Sequence, residues 1–196
     1  LGAGNGEMMR ILLSTFSKFP EFQNSCRVNI LEKSKLLQQI QKATIKDKKI
    51  KWLNSLNELS NLPCIFIANE FFDALPIKQF LKKEKKWHER HVKFTHSKKL
   101  EFLDIPFDMQ KFEQKIKFKI SYKQKFIEYS PLATKYLKTI INKIKLNNGG
   151  ILIIDYAYFE KEMKNTLQAV SKHQYCDVLK NFGNSDITYN LSFNLI

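Results

Sequence analysis

The chain has 196 residues, 43% of them hydrophobic and 27% charged. That balance excludes intrinsic disorder and supports one domain with a sizeable core, and no apolar run approaches the roughly 20 residues of a membrane-spanning helix. The net charge of +14 points to anionic partners, but Arg10, Arg27 and Arg90 are the only arginines. Lysine lacks the bidentate fork of phosphate-gripping surfaces, so most of this charge reads as solvated surface of a chain with AT-rich-genome composition.

The chain opens Leu1-Gly2-Ala3-Gly4-Asn5-Gly6, and Met8, Met9, Leu12, Leu13 and Phe16 follow at helical spacing. Glycines at alternate positions let backbone approach a ligand closely, and the amino end of the helix would face it; a structural turn explains the same pattern. A strand is expected ahead of such a loop, and only Leu1 stands for it, so the sequence reads as a fragment that is incomplete at both ends. Arg27 to Leu31 predicts the next strand. Glu32 follows it, 26 residues after Gly6, near the roughly 20 of a ribose-gripping acid, whose two oxygens accept both hydroxyls. The plainer alternative is an exposed Glu ahead of a helix capped by Ser34. Leu36, Leu37 and Ile40 are expected to form the apolar face of that helix.

Residues 45–51 read as a lysine-rich connector, residues 50–53 as a short edge strand, and residues 54–62 as polar. After Pro63 comes the run Ile65-Phe66-Ile67-Ala68-Asn69-Glu70-Phe71-Phe72-Asp73-Ala74-Leu75-Pro76. An apolar stretch that turns abruptly polar predicts a buried strand whose carboxyl end opens on a ligand crevice. Asn69, Glu70 and Asp73 would then line its floor, although turn and cap roles account for the same residues. Residues 77–81 and 87–94 predict a hairpin across residues 82–86, with a further strand at 100–105; residues 77–124 form an inserted hairpin or lid. Residues 111–124 show no clear period. In the run Glu128-Tyr129-Ser130-Pro131, Ser130 reads as the cap and Pro131 as the first position of a long helix, with Leu132, Tyr136, Leu137, Ile140, Ile141 and Ile144 buried. It ends at Asn147-Asn148-Gly149-Gly150, ahead of a fully buried strand at residues 151–154 that finishes in Asp155-Tyr156.

Cys26, Cys64 and Cys176 are widely spaced with no C-x-x-C, and read as reduced thiols of a bacterial cytoplasm or mitochondrial matrix. The histidines His88, His91, His96 and His173 form no metal-binding pair, so no metal is expected.

The uninterrupted run from Asn69 to Pro76 resembles the N-E-F-F-D-A-L-P signature of the MidA family of S-adenosylmethionine-dependent methyltransferases. Glu32, Ser34, Leu37 and Gln41 match its V-E-V-S-P-x-L-R-x-x-Q, and Trp87, Glu89, Arg90 and Val92 its W-x-E-R-x-V. Residues 149–156 match its G-x-x-L-I-I-D-Y-G segment, with Ala157 in place of the last glycine. Thr166 to Val170 with His173 resemble D-T-L-Q-A-V-x-x-H, with Asn165 in place of the acid. Gly183, Asp186, Ile187, Thr188 and Phe193 follow the last block, where Asn190 and Ser192 replace a His and an Asp.

The resemblance implies a class I (Rossmann-like) α/β methyltransferase sandwich with a mostly parallel sheet. It implies S-adenosyl-L-methionine as cofactor, with Gly2, Gly4 and Gly6 at its methionyl part, Glu32 on its ribose and Asn69 closing over the methionyl end. It further implies a protein substrate, an arginine of a respiratory complex I subunit. For such a substrate Glu70 and Asp73 would hold the guanidinium by charge-assisted hydrogen bonds. Two other readings stay open. The departures at Asn190 and Ser192 suit a non-catalytic assembly factor. The charge and a loose echo of N-P-P-[YF] at residues 69–72 suit a nucleic-acid methyltransferase, against which Glu70 would repel a phosphate backbone.

Overall fold

The computed structural model describes residues 1–47, 49–180 and 183–194. Lys48, inside the connector expected at 45–51, and Ile196 lie outside the described residues. In chain order the elements are α1 (Glu7–Phe16), α2 (Pro20–Ser25), β1 (Asn29–Leu31), α3 (Lys35–Ile45), β2 (Lys51–Leu53), β3 (Cys64–Asn69), β4 (Lys78–Lys83), β5 (Lys86–Phe94) and β6 (Leu100–Pro106). They continue with α4 (Met109–Ile116), β7 (Phe126–Tyr129), α5 (Pro131–Asn147), β8 (Gly149–Ile154), β9 (Ala157–Tyr158), β10 (Gln168–Ser171), β11 (Gln174–Cys176), β12 (Asp186–Thr188) and β13 (Leu191–Ser192). Two compact units result: Leu1–Phe71 with Tyr136–Ile154, and Phe72–Lys135 with Asp155–Ile196.

The first unit holds the parallel part of the fold. β1 pairs with β2, Ile30 opposite Trp52. β3 pairs with β8 from Cys64 opposite Gly149 to Asn69 opposite Ile154. Leu1 and Gly2 run between these two pairs: the Leu1 amine donates to the Ile67 carbonyl at 2.8 Å and the Gly2 N–H to the Leu31 carbonyl at 3.1 Å. They occupy the place of a strand at one end of the gap between β1 and β3. The rest of the gap is a mostly apolar groove of about 320 Å³, with Ile30, Leu31, Ile65 and Ile67 among its walls.

One core of this unit joins Leu31, Leu53, Leu56 and Phe66 to Ile140, with Tyr136 and Ile144 of α5 packed on it. A second joins Ile30, Ile45 and Ile50 to Met9 and Leu13 of α1. Each such side chain contributes about 1.5–3 kcal/mol by leaving water. Three expectations are corrected here. The buried residues of α3 are Gln41 and Ile45, while Leu36 and Ile40 are exposed. The helix rolls this way because the Gln41 amide finds hydrogen-bond partners inside. Ile141 of α5 is also exposed. The strands β3 and β8 are covered on one face only: Phe66 and Ala68 are buried, whereas Ile65, Leu152 and Ile154 are 77%, 53% and 48% exposed, no described element packing on their side.

The second unit is mainly antiparallel. Its four-stranded sheet has the order β6-β5-β4-β7. The expected hairpin is present, with a tighter turn than the 82–86 gap suggested: Glu84 and Lys85, both at positive φ, join strands that run up to Lys83 and from Lys86. That pair of left-handed residues matches the natural strand twist. The stretch 111–124, which shows no clear period, begins inside α4, capped by the Asp108 side chain accepting from Lys111 N–H. Met109 and Phe112 of α4 pack on Phe80 and Ile127. Glu128 and Tyr129 belong to β7, and the long helix begins at the cap and first position expected of it. The helix starts at Pro131, with Ser130 Oγ accepting from Ala133 N–H at 3.1 Å.

Candidate functional site

The glycine loop is built for left-handed backbone. Gly2, Gly4 and Gly6 have φ of 57°, 54° and 93°, a region side-chain-bearing residues seldom enter. A Cβ on Gly2 would lie 2.7 Å from the Phe71 ring, and one on Gly6 would lie 3.3 Å from the Gln41 Cα. Gly4 differs: nothing lies within 4 Å of where its Cβ would be. The loop is therefore packed at its two ends and open at its middle, and it delivers the chain into the amino end of α1.

Glu32 sits immediately after β1, buried to 9% exposure. One carboxylate oxygen accepts from Ser34 N–H at 2.9 Å and the other from Gln41 Nε2 at 3.1 Å. Ser34 Oγ in turn accepts from Leu37 N–H at 3.3 Å, so the capped start of α3 fixes the acid's surroundings. Gln41 Nε2 also donates to the Gly4 carbonyl at 2.8 Å. Glu32 and the glycine loop, predicted separately from sequence, thus meet on a single side chain.

The end of β3 reaches the same loop. Asn69 is half-buried, the last strand residue, opposite Ile154. Glu70 turns the chain with φ 45° while its N–H donates to the Ile154 carbonyl at 2.8 Å. A non-glycine residue held there costs about 1–3 kcal/mol, the kind of local strain that gathers at functional sites. Phe71 follows, with its ring against Gly2 and edge-on to Tyr136 at 5.4 Å between centroids. Gly2, Gly4, Gly6, Glu32 and the Asn69–Phe71 turn therefore adjoin one another within the first unit.

Asp73 belongs to the second unit. It is buried, and its neighbours there are Asp155 and Tyr189. Asp155 Oδ2 accepts from the N–H groups of Phe72 at 2.9 Å and Asp73 at 3.4 Å, and Tyr189 N–H donates to the Asp73 carbonyl at 3.2 Å. Burial pushes the Tyr189 phenol well above its usual range. The charges of Asp155, Glu128 and Asp73 add to this, and a hydrogen bond with Ser130 works the other way. Glu128 is a buried hub, accepting from Gln79 Nε2 at 2.8 Å, from Leu167 N–H at 3.1 Å and from the Thr166 hydroxyl.

Gln41 and Asp155 were legible only as letters of a motif. Their hydrogen-bonding roles depend on segments far away in the chain, and no local spacing signals them. Among the described residues no group of three potential ligands could hold a metal ion, and the cysteines are free thiols.

These residues suit a nucleoside cofactor carrying an amino-acid tail. Each Glu32 oxygen has one protein donor, which leaves a lone-pair direction on each for a ribose hydroxyl. The open side of Gly4 admits a ligand against bare backbone. The fold is that of the class I, Rossmann-like α/β methyltransferases. A profile of the family described as "Putative S-adenosyl-L-methionine-dependent methyltransferase" matches residues 1–196, and the chain belongs to that family.

The protein arginine methyltransferase NDUFAF7 of Xenopus tropicalis mitochondria is 27% identical over 225 residues, covering 100% of this chain and 51% of that protein. The Caenorhabditis elegans homologue is 26% identical over 215 residues, covering 98% and 50%. Two solved structures from Burkholderia thailandensis superpose with TM-scores of 0.78 and 0.79 at 20% identity. They cover 99% of this chain and 52% and 54% of theirs; the first holds S-adenosyl-homocysteine. At that identity they establish the fold. The chain spans about half the length of the curated relatives it matches.

Proposed function

We propose that this chain carries the cofactor-binding part of a protein arginine methyltransferase that uses S-adenosyl-L-methionine. The observation that carries the reading is the junction of Gly4 and Glu32 on the Gln41 amide, beside the Asn69–Phe71 turn. The cofactor supplies an electrophilic methyl group on a sulfonium. Glu32 accepts its ribose hydroxyls, Gly2, Gly4 and Gly6 admit its methionyl part, and Asn69 closes over that end. Glu70 accepts N–H groups of the guanidinium and aims a nitrogen at the methyl, and Asp73 is assigned the same role from its place in the Asn69–Pro76 run. Orientation of this kind supplies most of the acceleration in a transfer between two bound groups.

The named relatives support arginine as the target, and the family resemblance supports a respiratory complex I subunit and a matrix location. No helix among the described residues is long and apolar enough to cross a membrane.

The test is calorimetric titration with S-adenosylhomocysteine beside transfer of radiolabelled methyl to an arginine-bearing protein. Glu32→Ala is expected to weaken cofactor binding at least ten-fold. Glu70→Gln and Asp73→Asn should abolish transfer with cofactor affinity nearly unchanged; full activity in both refutes the clamp. A second reading, a cofactor-binding assembly factor without catalysis, is favoured by Asn190 and Ser192, which stand where the family has a His and an Asp. Binding without any transfer would select it.

A further inference from the structure

We propose that Gln41 is the positioning residue of this site, presetting the glycine loop and the ribose-binding acid together; the proposal rests on the cofactor reading above. Gln41 is fully buried, in the core-facing stripe of α3 where an apolar residue would normally stand. Its two amide hydrogens go to the Gly4 carbonyl at 2.8 Å and to Glu32 at 3.1 Å. Its oxygen accepts from the Trp52 indole N–H at 2.9 Å.

The side chain has one workable orientation. A carbonyl and a carboxylate accept only, and an indole N–H donates only, so a flipped amide would face acceptors with its oxygen and a donor with its nitrogen. Trp52 is steadied in turn by the Lys42 ammonium, 5.2 Å from its ring centroid. The Gln41 Cα also backs onto Gly6, so the helix holds the loop by backbone as well as by amide.

A buried amide that merely stitched a helix to a loop would have no need of a carboxylate. Here one of its two donated bonds goes to the group that must meet the ribose. Held at both oxygens by Ser34 N–H and Gln41, the Glu32 carboxylate cannot rotate without breaking a bond. Gln41 therefore acts on the ligand through Glu32, and through the Gly4 carbonyl on the bare stretch of backbone beside it.

The experiment is a double-mutant cycle read by calorimetric titration of S-adenosylhomocysteine into this chain, with Gln41→Met, Glu32→Gln and the double variant. Gln41→Met is expected to weaken binding ten-fold or more. In the Glu32→Gln background the same change should cost less than three-fold. Equal losses in the two backgrounds would make Gln41 a purely structural residue and overturn the proposal, as would a Gln41→Met chain that binds within two-fold of the parent. If Gln41→Met does not fold, Trp52→Phe carries the test. It frees the amide to flip and should weaken binding three- to ten-fold in the parent but not in the Glu32→Gln background; equal losses overturn the proposal. A parent chain that fails to bind defeats the cofactor reading and this proposal together, whereas a binding parent with an indifferent Gln41 defeats this proposal alone.

Discussion

Gly149 approaches Cys64 so closely that a Cβ on the glycine would lie 1.9 Å from the Cys64 carbonyl oxygen. Its φ of 129° adds a second reason for glycine. This contact starts the β3–β8 ladder, whose far end delivers Asn69 and Ile154. Gly149→Ala should destabilise the chain by about 3 kcal/mol or more, the scale of severe overpacking joined to backbone strain. Gly150→Ala, whose Cβ would meet nothing within 4 Å, should change stability by roughly 1 kcal/mol or less. Urea unfolding of the two variants tests the contrast, and equal effects would contradict it.

Asp155 holds the start of the 72–73 segment through two backbone N–H groups and its own neighbour's, Tyr156 N–H at 2.9 Å. Charged acceptors make such bonds worth about 1.5–3 kcal/mol each when lost. Asp155→Ala should speed hydrogen exchange at the Phe72 and Asp73 amides strongly, and Asp155→Asn should speed it less, since one oxygen remains. Unchanged exchange in Asp155→Ala would show that the loop is held by other means.

Asp104 gives a pH signature. Burial raises its carboxyl, but the hydrogen bonds and charges of Lys83, at 2.8 Å, and Arg90, at 3.1 Å, leave it below its ordinary value. A carboxylate with a lowered folded-state pKa stabilises the fold above its unfolded-state pKa and loses that contribution as pH falls through the folded value. Because Lys83 is about half exposed, the gain is kept small. Asp104→Asn should cost about 1 kcal/mol at neutral pH, and the difference from the parent should vanish below the usual carboxylate range. A difference that grows with acid would reverse the assignment.

The parallel half was legible because its signals are local. Glycines, an acid after a strand and an apolar run breaking into Asn69-Glu70 are each read within a few residues. α4 shows no clear period because its apolar positions, Met109, Phe112 and Ile116, are diluted by lysines, and Asp108 is its one local start signal. The face of α3 was misjudged because Gln41 is polar by letter yet satisfied inside. Whether a glutamine can be buried depends on Gly4, Glu32 and Trp52, none of which lies within a helical turn of it. Exposure on the β3–β8 face, by contrast, reflects what packs over a strand, and a strand's own letters do not encode its cover.

Leu1 and Gly2 tie β3 to β1 through backbone groups alone, at the Ile67 and Leu31 carbonyls. Backbone recognises backbone with little regard for side chains. Proline in place of Gly2 would remove one of these two ties, the N–H that reaches Leu31.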